Sequence, residues 1–260
     1  MTNLHLPLAG ATVIITRPTL TADASVRTAR RLGALVVRLP GLGLRATEDR
    51  ATAAAGLRRA RKADAWIFTS PAAVHFAFAL APELRPSRAT RVFAVGAGTA
   101  RALGRHGIGA IHPSHCHDSD GLLALDILAA PHGWQIAVID APGGRDAIAP
   151  TLRERGAAVE RLHVYRRTAP RLDRRHFARL AAAPLPWISL VSSGEALGHL
   201  AAALPAALAS RWRGQALVVS SRRLATQALE LGFGDVHVAR SALPTDLFGC
   251  AGMVLARHRI

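Results

Sequence analysis

Tyr165, the single tyrosine of the chain, is the side chain whose type and position most directly suggest a functional site. The pattern predicts that it ends a strand beginning at Val159, and Arg166 and Arg167 follow it. Open α/β sheets bind ligands outside the carboxyl ends of their strands, so a phenol beside two guanidinium groups is a candidate site there. Many strands also end in tyrosine because its ring is apolar and its hydroxyl tolerates water. These residues alone favour that structural interpretation.

Four short turns rich in serine, threonine and glycine form a second kind of candidate. Each is predicted to join the carboxyl end of a strand to a helix N-terminus, where free N–H groups and the helix dipole hold carboxylates or phosphates. A single such turn indicates only an ordinary N-cap. Four in equivalent positions favour an anion site. The turns are Thr69-Ser70, Gly96 to Thr99, Ser192-Ser193 and Ser220-Ser221.

Other classes of site have little support in the sequence. The GAGT turn lacks the GxGxxG spacing of dinucleotide-binding folds, and neither a P-loop motif nor a Gly-x-Ser-x-Gly elbow occurs. The segment HPSHCHDSD, which begins at His112, could bind zinc in principle. The matching part of the second half of the chain has no such cluster. We therefore expect a solvated loop and no metal site.

Composition indicates a globular protein. The chain has 260 residues, of which 50% are hydrophobic, and no stretch resembles a signal peptide or membrane span. We expect a soluble, cytoplasmic protein. Cys116 and Cys250 lie far apart, which argues against a disulfide framework. The net charge of +16 would attract polyanions, but Lys62 is the only lysine and aromatic residues are scarce. Nucleic-acid binding is therefore unsupported.

The elements that must position these residues alternate between strand, small-residue turn and helix, which is typical of parallel sheets covered by helices. The predicted strands cover residues 11–17, 35–39, 65–68, 91–95, 136–139, 159–165, 187–191, 216–219 and 236–239. The predicted helices cover residues 20–32, 51–62, 72–80, 100–105, 121–128, 147–155, 177–182, 195–203 and 222–231, and a further helix closes the chain.

The alternation repeats along the chain. Gly33 and Gly156, which both end a helix, are 123 positions apart, and so are Phe68 and Val191, which both precede a serine turn. A constant period predicts two similar α/β domains from an internal duplication. By itself the repeat suggests two consecutive halves. Two such domains would leave a cleft between them, which is a common place for a ligand.

The order and spacing of several motifs resemble uroporphyrinogen-III synthases over nearly the whole chain, and most closely proteobacterial members. The motifs are IITRP at 14–18, IFTSPAAV at 67–74, FAVGAGTARAL at 93–103, GGRDAIAPTLRERGAAVERLHVYRR at 143–167, LVSSGEAL at 190–197 and LVVSSRRLATQALELGF at 217–233.

The resemblance implies a different division into domains from the one that the repeat suggests. Proteins of this family pass from one domain to the other and back through two extended connections, which would be residues 40–44 and 165–170. Domain one would hold residues 1–39 and 168–260, and domain two residues 40–167. Tyr165 would then lie at the hinge and face the cleft.

The resemblance also implies a reaction in tetrapyrrole and heme biosynthesis. The family's substrate is hydroxymethylbilane, a linear tetrapyrrole with eight carboxylates. It loses its hydroxyl as water and closes through a spirocyclic intermediate to uroporphyrinogen III, with the last pyrrole ring inverted. No metal or organic cofactor takes part. Because the bilane closes unaided to the non-inverted isomer, the enzyme acts chiefly by positioning and electrostatic preorganisation.

Site residues follow from the same resemblance. Tyr165 matches the family's cleft tyrosine and would donate a proton to the departing hydroxyl. Thr99 matches a recurrent threonine, whereas Ser220 and Ser221 stand where other branches carry threonines, which puts a side-chain role there in doubt. The expected substrate-binding residues are Arg17, Thr69, Ser70, Gly96, Thr99, Gly143, Gly144, Arg145, Ser192, Ser193, Ser220 and Ser221.

We expect a monomer that binds neither nucleic acid nor membrane, with contact to the preceding pathway enzyme left open. A non-enzymatic two-domain receptor for a small anion is the alternative, and it would leave the bilane unconverted. A nucleic-acid-binding protein would instead bind duplex of any sequence with steep salt dependence.

Overall fold

The structure is a computed structural model that describes residues 6–114, 118–143 and 147–258. Its backbone divides into two compact units. Unit 1 comprises Met1–Gly43 and Thr168–Ile260, and unit 2 comprises Leu44–Arg167. In this division the first boundary follows Gly43, whereas the resemblance implied a boundary before Pro40, and the second boundary follows Arg167.

Strands and helices alternate along the described residues, as the sequence predicts. The strands are β1 Thr12–Ile15, β2 Leu35–Arg38, β3 Gly43–Ala46, β4 Ala65–Phe68, β5 Arg91–Ala94, β6 Gln135–Asp140, β7 Ala158–His163, β8 Tyr165–Thr168, β9 Trp187–Val191, β10 Ala216–Val219 and β11 Val236–Val238. The helices are α1 Thr19–Arg31, α2 Arg50–Ala60, α3 Pro71–Leu80, α4 Ala97–Gly104, α5 Ser119–Leu123, α6 Ile148–Glu154, α7 Arg174–Ala181, α8 Gly194–Ala203, α9 Ala206–Arg213, α10 Arg222–Glu230 and α11 Pro244–Arg257, with a 3-10 helix at Asp126–Leu128.

Unit 1 is a parallel sheet with the strand order β11-β10-β9-β1-β2. Its central strands are apolar on both faces because helices cover both. Val13 and Ile188 point to one core, beneath α1 and α11, and Ile14 and Trp187 point to the other, beneath α7 to α10. The alternation of side chains along each strand therefore fills two separate cores.

Unit 2 repeats this architecture with the parallel strand order β5-β4-β6-β7. Trp66 and Phe68 point to a core beneath α2, α3 and α4. Ala65 and Ile67 point to a second core that α5 and α6 cover. Two parallel sheets, each flanked by helices, confirm the predicted α/β fold class.

The sheet pairing corrects the interpretation of the repeat as two consecutive halves. Strands β1 and β2 from the start of the chain pair with β9 in unit 1, while β4 to β7 form the sheet of unit 2. A repeat reports which segments are alike, but it does not report which strands pair. The chain passes between the units through β3 and β8, which form a two-stranded sheet that the patterns did not predict.

Two predicted elements are divided in the structure, and one helix of the structure was not predicted. The strand predicted over residues 159–165 ends at His163, and Tyr165 begins β8 instead of ending a strand. The reason is a change of partner at Val164, whose N–H donates to the Asp140 carbonyl while its own carbonyl accepts the Thr47 N–H. The helix predicted over 121–128 is split into α5 and the 3-10 helix, and α9 was not predicted.

No helix in the described part of the chain is long and apolar enough to cross a membrane.

Candidate active site

Tyr165 lies in unit 2 with its hydroxyl at the first turn of α3. The phenol oxygen is 3.1 Å from Ser70 Oγ, which also accepts the backbone N–H of Ala73 at 3.0 Å. Ser70 is the N-cap of α3, and Pro71 occupies the first turn, where its missing N–H costs nothing. One serine therefore connects the phenol to the positive end of a helix dipole.

The ring of Tyr165 is fixed by packing. Only 4% of the residue is exposed, and Phe76 of α3 stacks on the ring with centroids 5.5 Å apart and planes 13° apart. Sequence reasoning missed Phe76, because its contact with Tyr165 joins residues that lie far apart in the sequence. Both the orientation of the ring and the position of its hydroxyl are therefore set by α3.

The two arginines after Tyr165 are engaged with other groups. Arg166 forms an ion pair with Glu48 at 3.1 Å. Arg167 donates a hydrogen bond to the carbonyl oxygen of Gly143, an exposed glycine with a φ of +69°. One guanidinium is therefore paired with a carboxylate, and the other is bound to a backbone carbonyl.

The remaining predicted residues described in unit 2 follow the carboxyl ends of adjacent strands β4 and β5. Thr69 after β4 donates its N–H to the Ile139 carbonyl at 3.2 Å and its hydroxyl to the same oxygen at 3.4 Å. Gly96 after β5 is the N-cap of α4 and has extended backbone. Thr99 is 4% exposed, and its hydroxyl makes no hydrogen bond within the described residues. The hydroxyl of Thr99 is thus a buried group that can still donate a hydrogen bond to a ligand.

In unit 1 the serine turns form ordinary caps at the ends of adjacent strands β9 and β10. Ser193 Oγ accepts the N–H of Ala196 at 3.3 Å at the start of α8. Ser221 Oγ accepts the N–H of Leu224 at 3.4 Å at the start of α10. Ser220 donates its N–H to the last carbonyl of β9 at 3.2 Å. Both cap hydroxyls keep a proton that another acceptor could take.

Arg17 and Ser192 line a small pocket within unit 1, whose other walls include Leu247 and Phe248. The Arg17 guanidinium donates from Nη2 to the Ala242 carbonyl at 3.1 Å. Burial lowers the pKa of Arg17 because desolvation disfavours the charged form. Arginine nevertheless stays protonated in proteins, so the pocket holds a positive charge in apolar surroundings.

A charged cluster that sequence reasoning missed lies at the end of β6. Asp140 is 6% exposed and accepts hydrogen bonds from Arg161 Nη2 at 2.6 Å and Nε at 3.1 Å. His163 Nδ1 lies 2.6 Å from the other carboxylate oxygen. The sequence indicates this cluster only through Asp140, an aspartate that is the last residue of an otherwise mostly apolar strand. The two donors compensate the buried carboxylate, so the cluster has a structural explanation.

The expected absence of a zinc site can be examined for part of the HPSHCHDSD segment. His112 Nδ1 lies 2.9 Å from the Pro113 carbonyl, and Asp118 caps α5 by accepting the Gly121 N–H. No group of three or more potential metal ligands occurs among the residues that the structure describes. The residues named from the sequence that lie outside the described ranges are His115, Cys116, His117, Gly144 and Arg145.

The described candidates thus fall into two sets, one in each unit. Each set combines hydroxyl donors with N–H groups at helix starts, which suits carboxylates. Among the described candidates, unit 2 adds the Tyr165 phenol, and unit 1 adds the partly buried guanidinium of Arg17 beside a small pocket. The set in unit 1 is Arg17, Ser192, Ser193, Ser220 and Ser221. The set in unit 2 is Thr69, Ser70, Gly96, Thr99, Gly143 and Tyr165.

Solved structures of uroporphyrinogen III synthases are similar in fold to this chain. The enzyme from Helicobacter pylori aligns with a TM-score of 0.59 at 14% identity, over 95% of this chain and 99% of that one. A mutant of the enzyme from Thermus thermophilus aligns with a TM-score of 0.53 at 17% identity, over 95% of this chain and 100% of that one. At these identities the likeness establishes the fold.

Sequence comparison establishes the family. The family model for uroporphyrinogen-III synthase HemD matches residues 23–249. The uroporphyrinogen-III synthase of Salmonella typhimurium is 33% identical over 236 residues, which cover 88% of this chain and 95% of that protein. The Escherichia coli enzyme is 30% identical over 234 residues, with the same coverage of both chains. The chain belongs to the uroporphyrinogen-III synthase family.

Proposed function

We propose that this protein converts hydroxymethylbilane to uroporphyrinogen III, with loss of water and inversion of the last pyrrole ring. The observation that carries the proposal is the match to two synthases at 30% identity or more over 88% of the chain. The fold and the distribution of hydroxyl and N–H donors at strand ends agree with that reaction.

Electrostatics supports the choice of substrate. A bilane with eight carboxylates requires many donors that are already in position, and helix N-termini provide them without conformational change. The candidates are the caps at Ser70, Gly96, Ser193 and Ser221, each at the start of a helix of eight residues or more. The net charge of +16 would favour the encounter with a polyanion.

The chemical step that we assign to Tyr165 is proton donation to the departing hydroxyl. Ser70 Oγ accepts the Ala73 N–H, so its own proton can be donated to the phenol oxygen. The phenol proton is then free to move to the leaving group as the carbon–oxygen bond breaks. Ser70 would be a positioning residue, because it acts through Tyr165.

The proposal includes a cytoplasmic enzyme that acts as a monomer on a small molecule, without cofactor, nucleic acid or membrane. A size-exclusion and light-scattering measurement of the purified chain addresses the oligomeric state.

The experiment that separates an enzyme from an anion receptor follows the consumption of hydroxymethylbilane. An enzyme consumes the bilane faster than the protein-free control, at a rate proportional to protein concentration. A receptor binds the bilane and leaves the rate at or below the control. The second outcome would replace the synthase proposal with the binding-protein alternative.

We expect Ser70→Ala to lower turnover about threefold to tenfold, because it removes the contact that orients the Tyr165 hydroxyl. The lost N-cap costs about 1 kcal/mol of stability. Steady-state kinetics with thermal unfolding would measure both effects.

Ser87→Ala is the matched control for that substitution. Ser87 Oγ accepts the Thr90 N–H at 3.2 Å and lies 2.8 Å from Thr90 Oγ1. Like Ser70→Ala, the Ser87→Ala substitution therefore removes one contact with a backbone N–H and one with a side-chain hydroxyl, in the same unit. We expect it to lower stability and leave turnover unchanged. Equal kinetic losses in the two variants would mean that Ser70 acts through stability alone.

A further inference from the structure

An arginine outside the candidate set lies over the first turn of α4. Arg101 is exposed, and its side chain extends toward the N-terminus of the helix, as helical side chains do. A Cβ atom on Gly98 would lie 4.0 Å from Arg101 Nη2 and 3.8 Å from Pro71 Cγ at the start of α3. The guanidinium therefore lies beside the point where the first turns of α3 and α4 meet.

The start of α4 combines several positive charges. The N-termini of α3 and α4 each carry the positive end of a helix dipole, and the Arg101 guanidinium adds a full charge. Both helices lie wholly in the described part of the chain, and neither has an acidic residue in its first turn. Within the described residues the Arg101 guanidinium forms no ion pair and no hydrogen bond. Because cations are unfavourable at a helix N-terminus, this grouping favours an anionic ligand.

The hydrogen-bond donors of α4 support the same conclusion independently. The N-cap is Gly96, which has no side chain to accept hydrogen bonds, and the N–H groups of Ala97 and Gly98 have no acceptor within the described residues. Thr99 is 4% exposed, and its hydroxyl has no partner there either. The Cα–Cβ bonds of a helix tilt toward its N-terminus, so this hydroxyl is directed at the same turn. A buried hydroxyl without a partner points to a ligand.

We propose that Arg101 and the N–H groups of Ala97 and Gly98 bind one carboxylate of the substrate. The inference rests on the proposed function for the identity of that substrate. The family resemblance names Gly96 and Thr99 in this turn, and the structure adds the charged side chain. A guanidinium donates two parallel hydrogen bonds to a carboxylate, and N–H groups at a helix start donate to its remaining lone pairs.

The proposed anchor lies close to the proton donor. The first turn of α4 meets α3 at Pro71, and the preceding Ser70 Oγ lies 3.1 Å from the Tyr165 hydroxyl. A carboxylate bound at this turn would hold a pyrrole ring of the bilane beside Tyr165. Arg101 would therefore help to orient the ring that carries the departing hydroxyl.

Arg101→Gln tests the anchor, because glutamine has nearly the helix propensity of arginine and no charge. We expect KM for hydroxymethylbilane to rise about threefold to tenfold, since a charged donor to a carboxylate is lost. Stability should stay the same or increase slightly, because a cation is removed from a helix N-terminus. Arg101→Lys should recover part of the affinity, since it keeps the charge without the paired donors. Steady-state kinetics and thermal unfolding would measure these effects.

Arg105→Gln is the matched control. Arg105 is exposed and is the C-cap of the same helix, so this variant loses the same charge at the opposite end. We expect KM to stay near that of the parent and stability to fall slightly, because cations are favourable at a helix C-terminus. An equal KM in the two variants would mean that Arg101 acts only through net charge. A lower unfolding midpoint for Arg101→Gln than for the parent would mean a structural role. Either result would overturn the proposal.

A binding measurement separates this site from the proposed function. In the full chain labelled with nitrogen-15, the amide resonance of Gly98, identified by its loss in Gly98→Ala, should shift saturably with propionate. Sodium chloride at the same ionic strength should not produce this shift, and Arg101→Gln should weaken the response to propionate. Absence of a saturable shift, or an equal shift with chloride, would overturn the site. An Arg101-dependent shift in a chain that does not convert the bilane would support the site while contradicting the proposed function.

Discussion

Replacing Tyr165 with phenylalanine is expected to lower turnover about tenfold and to leave KM and the fold intact. Phenylalanine keeps the ring that packs on Phe76 and removes only the hydroxyl that lies 3.1 Å from Ser70 Oγ. General acids typically contribute about 10²–10⁴-fold, but the hydroxyl of the bilane can depart unaided, so the expected loss lies below that range. Steady-state kinetics together with circular dichroism would measure it.

Phe76→Leu is the control for this substitution. It removes the stacked ring and keeps the phenol, so stability should fall while turnover falls less than in Tyr165→Phe. Unchanged turnover in a folded Tyr165→Phe variant would leave Tyr165 with the structural role that its residue type alone suggests.

Replacing Gly41 with alanine is expected to destabilise unit 1 by about 1–3 kcal/mol through overpacking. A Cβ atom on Gly41 would lie 2.6 Å from Ala196 Cβ and 2.7 Å from the Ala196 carbonyl oxygen. Ala196 belongs to the first turn of α8, which the Ser193 hydroxyl caps. The clash is with backbone, so relief requires a shift of the helix start and of its cap.

Thermal unfolding would measure this effect as a midpoint lowered by several degrees. Gly234→Ala is the control in the same unit, since an added Cβ there meets no atom within 4 Å. It should leave the midpoint unchanged or slightly raise it by restricting the unfolded chain. A Gly41→Ala variant as stable as its parent would show that α8 can move away at no cost.

The local patterns predicted the fold class because buried parallel strands are continuous apolar runs and their helices end at glycines such as Gly33 and Gly156. Both glycines have positive φ values, which other residues rarely adopt. The pairing of strands that lie far apart in the sequence was not readable from these patterns. It depends on contacts between residues far apart in sequence, such as Thr12 with Trp187.

The candidate site was predictable to the extent that it lies at strand ends. Ser70, Ser193 and Ser221 were readable as N-caps from residue type alone. The contact between Ser70 and Tyr165 spans 95 residues and needed the fold, as did the change of partner that makes Tyr165 the first residue of β8.

The measurement that tests the central claim most directly is the identity of the porphyrinogen isomer. Purified protein treated with a chelator is incubated with freshly made hydroxymethylbilane, and the products are oxidised to porphyrins and separated by chromatography. Spontaneous closure gives isomer I, so the ratio of isomers reports control of ring inversion. We predict that isomer III dominates without added metal or cofactor, whereas an isomer ratio equal to that of the protein-free control would contradict the account.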